Sequence, residues 1–409
     1  MGMGHPPLLP LVLFALTYAG LALGRVPGLA LDRTGLAVLG AVAFLATGAI
    51  TVEQAKDAVD APTLAVLFGM MLLSAQYRQS GLYSTIGGRL ARVESPRRLL
   101  LGTIVVTAFL SALLTNDVIC FALTPLLAGA LLAARRPPLP YLLALACAAN
   151  LGSALTPIGN PQNILIAQTL RLPFLPFVLA CAAPVLLSLI ALYLLVAPRL
   201  REPDGADAPG DPAAMAEESI PLQPWPAAKA VLLTAAAMAL FLSPVPAPLT
   251  ALGIAGVVLT SRRMRTRDLL AHVDWSLLAL FVGLFVVGRG LEVSGWTEAA
   301  RNAFGADPSH PAVLLAAVSL LSLLVGNVPA VMLLLPFVGR QPATGYAMAL
   351  ASTFAGNAVL VGSIANLIVA EQAARLGIRF GFREHLGTGL PVTLISLALA
   401  AGALLLGRL

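Results

Sequence analysis

The sequence predicts an all-α polytopic membrane protein made of two inverted-topology repeats, each with a re-entrant helical hairpin and a discontinuous transmembrane helix. Of the 409 residues, 58% are hydrophobic and only 11% are charged, whereas soluble chains carry about 25% charged residues. The long apolar runs form two series of matching order, and arginine clusters at their ends give the two series opposite orientations.

The apolar runs supply enough length for many membrane crossings, since one crossing needs roughly 20 apolar residues. The candidate segments of the first half are 7–24, 33–50, 62–79, 97–135, 141–170 and 174–198. Those of the second half are 227–243, 249–261, 275–291, 311–339, 344–372 and 386–407. We therefore predict a first repeat over 1–200 and a second over 227–409. The stretch between them, 201–226, is rich in Pro, Ala and acidic residues and is predicted to be a cytoplasmic linker.

Internal similarity between the halves supports a duplication. Val59–Gly81 aligns without gaps to Val273–Gly295, with Val-Asp at the start and Ser-Gly at the end of both. "LLTNDVICFALTPLL" resembles "LLVGNVPAVMLLLPFV", which pairs Asn116 with Asn327. Shared order and polar landmarks predict that the halves have the same internal structure.

Charge bias then gives the orientation, because Lys and Arg concentrate on the cytoplasmic side. The arginines expected there are Arg25, Arg33, Arg89 to Arg98, Arg135, Arg136, Arg199, Arg201, Arg262 to Arg267 and Arg375 to Arg383. One alternating path satisfies them all, provided that 97–135 and 311–339 each return to the side they entered. Each half then crosses an odd number of times, so the halves are inverted, as in many secondary transporters.

The hairpin 311–339 is too short to cross twice. About 14 helical residues on each side of its centre reach roughly 20 Å, against a core of roughly 30 Å. Its tip, Gly326-Asn327, should therefore lie within the membrane. Repeat symmetry places the tip of 97–135, Thr115-Asn116-Asp117, at an equivalent depth.

The segment 141–170 contains a second kind of interruption, the stretch "LTPIGNPQNILIAQ". Thirty helical residues would span about 45 Å, too long for one straight crossing, and the prolines and glycine at its centre permit a break. Its counterpart "GSIANLIVAE" in 344–372 pairs Gly159 with Gly362 and Asn163 with Asn366. Broken helices expose N–H groups that favour anions and C=O groups that favour cations. Both hairpin tips and both breaks are thus predicted to meet at one midplane site.

The candidate residues of this site are mostly amides, hydroxyls and glycines. They are Thr115, Asn116, Asp117, Thr156, Gly159, Asn160, Gln162, Asn163, Gly326, Asn327, Asn357, Gly362, Ser363 and Asn366. Side-chain amides both donate and accept hydrogen bonds, so they could hold a solute or ion, or else tie the broken backbone together. None of the chain's Arg or Lys residues falls within these motifs.

Asp117 is the only formal charge between Arg98 and Arg135. A carboxylate at membrane depth is costly and is usually functional. It could bind a cation or carry a coupling proton. The alternative is a structural role as a cap on the second arm of the hairpin.

Three motifs resemble the ion transporter superfamily, which includes citrate-transporter-like permeases, arsenite permeases and divalent-anion/sodium symporters. They are "LLTNDVICFALTPLL", "NLGSALTPIGNPQN" and "GNAVLVGSIANLIVAE". The resemblance implies the fold described above and a role for Asn116 and Asn327 in sodium and substrate sites. The tips lack the Ser-Asn-Thr signature of the dicarboxylate symporters, and "TND…LTP" is more similar to the arsenite-permease and citrate-transporter-like branch.

These observations together predict an ion-coupled (Na⁺ or H⁺) secondary active transporter of a small anion in the inner (plasma) membrane. Na⁺ would bind near Asn116, Asp117 and Asn327, and no other cofactor is expected. Arsenite or antimonite efflux, sodium/proton antiport and a passive anion channel remain as alternatives. The chain has no Walker motif, and no His or Cys pair at metal-ligand spacing. We predict that it is not an enzyme.

The expected partners are the small anionic solute and the lipid bilayer, with a homodimer as an open alternative. The net charge of +6 would raise the question of nucleic-acid binding in a soluble protein. Here the arginines lie at the ends of apolar runs, so the charge is attributed to membrane topology and no nucleic acid is expected.

Overall fold

The computed structural model describes residues 6–24, 28–200, 220–261, 264–303, 310–338, 341–407 and 409. Most of the predicted linker, residues 201–219, lies outside them, as do Arg25, Arg201, Arg262 and residue 339 at the end of the second predicted hairpin. Within the described residues all regular structure is helical.

Ten α-helices precede residues 201–219 among the described residues, and ten follow. The first ten are α1 (Leu8–Leu23), α2 (Arg33–Ala46), α3 (Val52–Ala58), α4 (Ala61–Gln79), α5 (Leu82–Ala91), α6 (Pro96–Leu113), α7 (Asn116–Ala133), α8 (Leu139–Ser153), α9 (Pro161–Leu170) and α10 (Phe174–Val196). The second ten are α11 (Pro224–Phe241), α12 (Ala247–Leu259), α13 (Thr266–Leu270), α14 (Trp275–Val293), α15 (Trp296–Ala303), α16 (Pro311–Val325), α17 (Asn327–Leu334), α18 (Pro342–Ala355), α19 (Ile364–Arg375) and α20 (Phe382–Leu405). The two series correspond helix by helix.

The chain is an all-α membrane protein of two inverted repeats. Among the described residues, six helices are long and apolar enough to cross a membrane: α6, α7, α10 with its C-terminal extension, α11, α14 and α20. The predicted span 33–50 is shorter than expected, because the chain turns at Gly48 (φ 68°) and Thr51 caps α3. The structure ends that helix at Ala46.

Corresponding helices begin in the same way in both repeats. The Asp60 side chain accepts a hydrogen bond from the Thr63 amide at 2.9 Å. The Asp274 side chain accepts one from the Leu277 amide at 2.9 Å. These bonds satisfy N–H groups that the first turns of α4 and α14 leave free.

Close packing between the repeats also follows the pseudo-symmetry. A Cβ on Gly69 of α4 would lie 2.4 Å from the Ala251 carbonyl oxygen of α12. A Cβ on Gly283 of α14 would lie 2.7 Å from the Ala37 carbonyl carbon of α2. The two pairs are related by the same shift along the sequence. Each repeat therefore presents a glycine against the backbone of the other.

We expect Gly283→Ala to destabilise the protein by about 1–3 kcal/mol, the usual cost of overpacking, because the new methyl group would push α2 and α14 apart. The measurement is the midpoint of thermal unfolding of the detergent-solubilised protein. Gly288→Ala on the same helix is the matched control, since no heavy atom lies within 4 Å of its Cβ position. Equal midpoints for the two variants would contradict the packing argument.

The long segments predicted to be interrupted are divided between pairs of helices. The first hairpin consists of α6 and α7, joined at Leu114-Thr115, and the second consists of α16 and α17, joined at Gly326. With its 15 residues, α16 reaches only about 22 Å, so the second hairpin is re-entrant. The first broken helix consists of α8 and α9, and the second consists of α18 and α19.

Candidate functional site

Each helix break is closed by an asparagine of the helix that follows it. In the first break, Asn163 Nδ2 donates to the carbonyl oxygens of Ser153 at 3.3 Å and Thr156 at 3.1 Å. These carbonyl groups are freed by the end of α8. Asn160 caps α9, since its Oδ1 accepts from the Asn163 amide at 2.8 Å. The Asn163 amide side chain therefore replaces helical hydrogen bonds that the break removes.

The second break repeats this arrangement. Asn366 Nδ2 donates to the carbonyl oxygens of Gly356 at 2.8 Å and Val359 at 3.4 Å. Gly356 and Val359 correspond in the repeat to Ser153 and Thr156. The duplicated motif therefore ties the broken backbone together in both halves. This is the structural one of the two roles considered for these amides.

The two breaks also bond to each other across the pseudo-two-fold axis. Asn160 Nδ2 donates to Thr353 Oγ1 at 3.2 Å, and Gln162 Nε2 donates to the same oxygen at 3.2 Å. In the opposite direction, Ser363 Oγ donates to Asn150 Oδ1 at 3.1 Å. Asn160 corresponds to Ser363, and Thr353 corresponds to Asn150, so the pairs are equivalent.

Asn150 of α8 is the central member of this network and is fully buried. Its Oδ1 accepts from Asn116 Nδ2 at 2.9 Å. Its Nδ2 donates to Asn357 Oδ1 at 2.8 Å and to Asn366 Oδ1 at 3.2 Å. One side chain thus joins the first hairpin tip to the second broken helix.

Both hairpin tips rest on the helix breaks. The Asn116 amide donates to the Gly159 carbonyl oxygen at 3.1 Å, and Thr156 Oγ1 donates to the Ala112 carbonyl oxygen at 2.5 Å. At the second tip, Asn327 Nδ2 donates to the carbonyl oxygens of Ser352 at 2.9 Å and Gly362 at 3.2 Å. Each tip therefore depends on the break of its own repeat.

A cleft lies where the two tips and the two breaks meet. Its lining residues are Arg33, Asn116, Asp117, Pro161, Gln162, Leu277, Leu280, Gly326, Asn327, Val328, Pro329, Gly362, Ser363 and Ile364. Residues from all four interrupted elements contribute to one cavity.

The predicted site residues divide between this cleft and the buried network behind it. Those that line the cleft are Asn116, Asp117, Gln162, Gly326, Asn327, Gly362 and Ser363. Those outside the lining are Thr115, Thr156, Gly159, Asn160, Asn163, Asn357 and Asn366, all of which are buried. A solute in the cleft would contact the first set, and the second set would hold the first in place.

Arg33 corrects the expectation that the site contains no cationic side chain. Its Nη2 donates to the Val361 carbonyl oxygen at 3.5 Å, and its Nη1 lies 3.3 Å from the Cβ position of Gly326. Sequence reasoning assigned Arg33 to membrane topology because it lies at the end of an apolar run. The sequence did contain a signal: the corresponding helix of the second repeat, α12, begins with Ala247. The arginine is therefore not part of the duplicated pattern.

Asp117 lies in the first turn of α7 and is half-buried in the cleft lining. Helix N-termini favour negative charge at this position. Among the described residues, no protein group donates a hydrogen bond to the Asp117 carboxylate, and the N-cap of α7 is Thr115. The described lining of the cleft therefore contains one carboxylate and one guanidinium group.

Four buried side-chain oxygens near the first tip and the first break have no hydrogen-bond partner in the described part of the chain. They are Ser111 Oγ, Thr115 Oγ1, Asn116 Oδ1 and Asn163 Oδ1. Neutral hydroxyl and amide oxygens are suitable ligands for hard cations.

His385 is a further member of the network that the sequence did not indicate. It is fully buried on α20, and its Nε2 lies 2.9 Å from the Asn357 carbonyl oxygen. The same nitrogen lies 3.4 Å from Asn366 Nδ2. The spacing of the histidines in the sequence does not indicate this contact, because His385 bonds to backbone and amide groups and not to a metal.

Comparison with known proteins agrees with this architecture. Residues 11–346 match the profile of a family described as "Citrate transporter". The silicon efflux transporter LSI3 of Oryza sativa subsp. japonica is 31% identical, over 94% of this chain and 94% of that protein. A transporter named arsB in Dictyostelium discoideum is 24% identical, over 90% of this chain and 86% of its own length.

A solved structure is similar over the whole chain. The YdaH transporter of Alcanivorax borkumensis, described as having an unusual topology, aligns with a TM-score of 0.55 and 18% sequence identity. The alignment covers 99% of both chains. At this identity the similarity concerns the fold alone.

Proposed function

The chain belongs to the citrate transporter family, and on this premise we propose that it is an ion-coupled secondary active transporter of a small anion. The observation that carries the proposal is the single cleft lined by both hairpin tips and both broken helices, with Arg33 on its wall. Inverted repeats that meet in this way are the usual basis for alternating access.

The roles of the individual groups follow from their chemistry. The Arg33 guanidinium presents paired N–H donors that match the geometry of an oxyanion. The N-terminus of α19, with Gly362 and Ser363 in the lining, favours negative charge. Asp117 and the unpaired oxygens near Asn116 would take Na⁺, or Asp117 alone would take H⁺. We place the protein in the inner (plasma) membrane, with residues 201–226 in the cytoplasm.

The test is uptake into proteoliposomes containing the purified full-length chain. Labelled sulfate, phosphate, citrate, succinate, arsenite and Na⁺ are supplied in turn, with Na⁺ and pH gradients imposed separately. We expect at least one anion to accumulate above its equilibrium level with only one of the two gradients. If flux occurs but no gradient drives accumulation, the protein is a channel and the proposal is wrong.

A second candidate is efflux of a small neutral oxyacid, such as arsenous or silicic acid. Two observations favour it: the similarity to a silicon efflux transporter, and the presence of both Asp117 and Arg33 in the cleft lining, which balances the formal charge. In the same proteoliposomes this candidate requires transport of arsenite or silicate at neutral pH and no transport of sulfate or citrate.

We expect Asp117→Asn to reduce gradient-driven uptake to the level of empty liposomes, because an amide carries neither the coupling proton nor a full charge for Na⁺. The variant should still insert and elute as a monodisperse protein, since Asn is isosteric. Asp268→Asn, at an exposed position of α13, is the control and should transport normally. Uptake at the wild-type rate in the Asp117 variant would exclude this carboxylate from coupling.

A further inference from the structure

A second cavity lies farther along the same helices as the cleft. It is bounded by parts of α3, α9, α14 and α17, and by Asp60 at the N-cap of α4. We call this cavity the vestibule. Its lining includes Asp57 together with the Arg289–Glu292 ion pair, whose N–O distance is 2.8 Å. Exposed charges of this kind are typical of a water-filled opening.

Three helices line both cavities. Along each of these helices, a residue of the cleft is followed by a residue of the vestibule. On α9, Gln162 lines the cleft and Leu165 lines the vestibule. The corresponding pairs are Leu280 and Leu284 on α14, and Pro329 and Met332 on α17. Each pair is separated by about one helical turn, or roughly 5 Å. The N-terminal part of each helix faces the cleft, and the part that follows faces the vestibule.

The layer between the cavities is thin and apolar. Leu165 and Leu284 are each 1% exposed, and Leu280 is 4% exposed. The two helices that carry them, α9 and α14, both contact α17. Hydrophobic constrictions exclude hydrated ions because the ions cannot shed their water there. A layer of one turn is therefore enough to separate two aqueous openings.

We infer that solute crosses the membrane between α9, α14 and α17, and that Leu165, Leu284 and Met332 form the barrier between the cleft and the vestibule. This inference rests on the proposed transport function for its biological meaning. It also makes a geometric claim that needs no known substrate: the two cavities open on opposite faces of the membrane. Because α9 belongs to the first repeat and α14 and α17 to the second, movement between repeats would open this barrier.

Side-specific cysteine labelling tests the geometric claim. Cys120, Cys147 and Cys181 are buried and are replaced by alanine, and single cysteines are then introduced by Ile364→Cys in the cleft and Thr169→Cys in the vestibule. Both positions are exposed. With a membrane-impermeant methanethiosulfonate reagent on sealed vesicles, we expect Ile364→Cys to react only from the cytoplasmic face and Thr169→Cys only from the opposite face. Reaction of both from the same face would overturn the inference.

Removing part of the barrier gives a second test. Leu284→Ala should raise the exchange of labelled Na⁺ or sulfate, in proteoliposomes with no ion gradient, at least several-fold above the wild type. Val282→Ala is the control, because Val282 lies on the same helix with 37% of its surface exposed. Leu165→Ala replaces Leu284→Ala if the latter does not elute as a single species. Equal leak in barrier and control variants would contradict the assigned barrier.

The two tests separate this inference from the proposed function. Labelling from opposite faces without transport of any solute in the panel would leave the path in place and remove the proposed function. Gradient-driven uptake combined with labelling from one face only would support transport by a different path.

Discussion

Replacing Arg33 by alanine is expected to weaken binding of an anionic solute by about 10- to 100-fold. Hydrogen bonds to charged groups contribute about 1.5–3 kcal/mol, and each 1.4 kcal/mol corresponds to a factor of about ten in affinity. Among the described residues, Arg33 is the only cationic side chain that lines the cleft. Its loss should therefore raise the half-saturation concentration for uptake, with little change in the amount of folded protein.

Two further variants make the Arg33 experiment specific. Arg33→Lys keeps the charge but loses the planar pair of donors, so it should restore part of the affinity and not all of it. Arg97→Ala removes an exposed arginine in the first turn of another membrane helix, α6, and should transport like the wild type. If Arg97→Ala and Arg33→Ala have equal effects, the loss reflects topology or insertion and the assigned role of Arg33 is wrong.

The Arg33 variants also distinguish the two candidate functions. A neutral oxyacid gains little from a guanidinium group, so its transport should change by less than about threefold in Arg33→Ala, given the modest net value of neutral hydrogen bonds. An anion should lose at least about tenfold under the same conditions. Measuring sulfate and arsenite on the same preparation provides this comparison without knowledge of the natural solute.

Much of the architecture was predictable from local signals in the sequence. Pro157 and Pro161 lack the N–H group that a helix interior requires, and the structure places the break there, from Ala154 to Asn160. Asp60 and Asp274, the aspartates of the two aligned Val-Asp pairs, both cap their helices. The duplication made these signals reliable, because the same landmarks recur in the same order in each half.

The parts that were missed depend on contacts between distant residues. Arg33 reaches Val361, 328 positions away, and His385 meets Asn357 across a helix-helix contact. An apolar sequence carries little information about which face of each helix packs inward. Pattern reasoning therefore identified the broken elements but not the arginine that enters the cleft from α2.

The structure also divides the amides into two functional groups that the sequence left together. Asn163 and Asn366 donate to carbonyl groups of their own breaks, so their first role is to make a non-helical backbone tolerable inside a membrane. Gln162, Asn327 and Ser363 line the cleft. Substitutions in the first group should lower stability, and those in the second should change transport with less effect on stability.

Asn150→Ala is expected to lower the thermal unfolding midpoint more than any other single amide substitution in the network, and to abolish uptake. The variant removes the partner of Asn116, Asn357, Asn366 and Ser363. Each buried polar group left without a partner costs about 1–3 kcal/mol. The loss of one side chain should therefore destabilise the first hairpin tip and the second break together.

Asn150→Thr tests whether the pseudo-symmetry of the network has energetic meaning. Thr353, the counterpart of Asn150, accepts hydrogen bonds from Asn160 and Gln162 through its hydroxyl group. A threonine at position 150 could accept from Asn116 and Ser363 in the same way, while losing one of the two donors that Asn150 offers to Asn357 and Asn366. Its unfolding midpoint should lie between those of Asn150→Ala and the wild type.

Asn302→Ala, on an exposed face of α15, is the control for both Asn150 variants and should unfold like the wild type. A midpoint for Asn150→Ala within about one degree of this control would show that the network contributes little to stability. The two breaks would then be held mainly by helix packing, because a buried hydrogen bond worth about 1 kcal/mol shifts the midpoint of a large domain by roughly 2–4 °C. Fluorescence-detected size-exclusion after heating measures all four proteins under the same conditions.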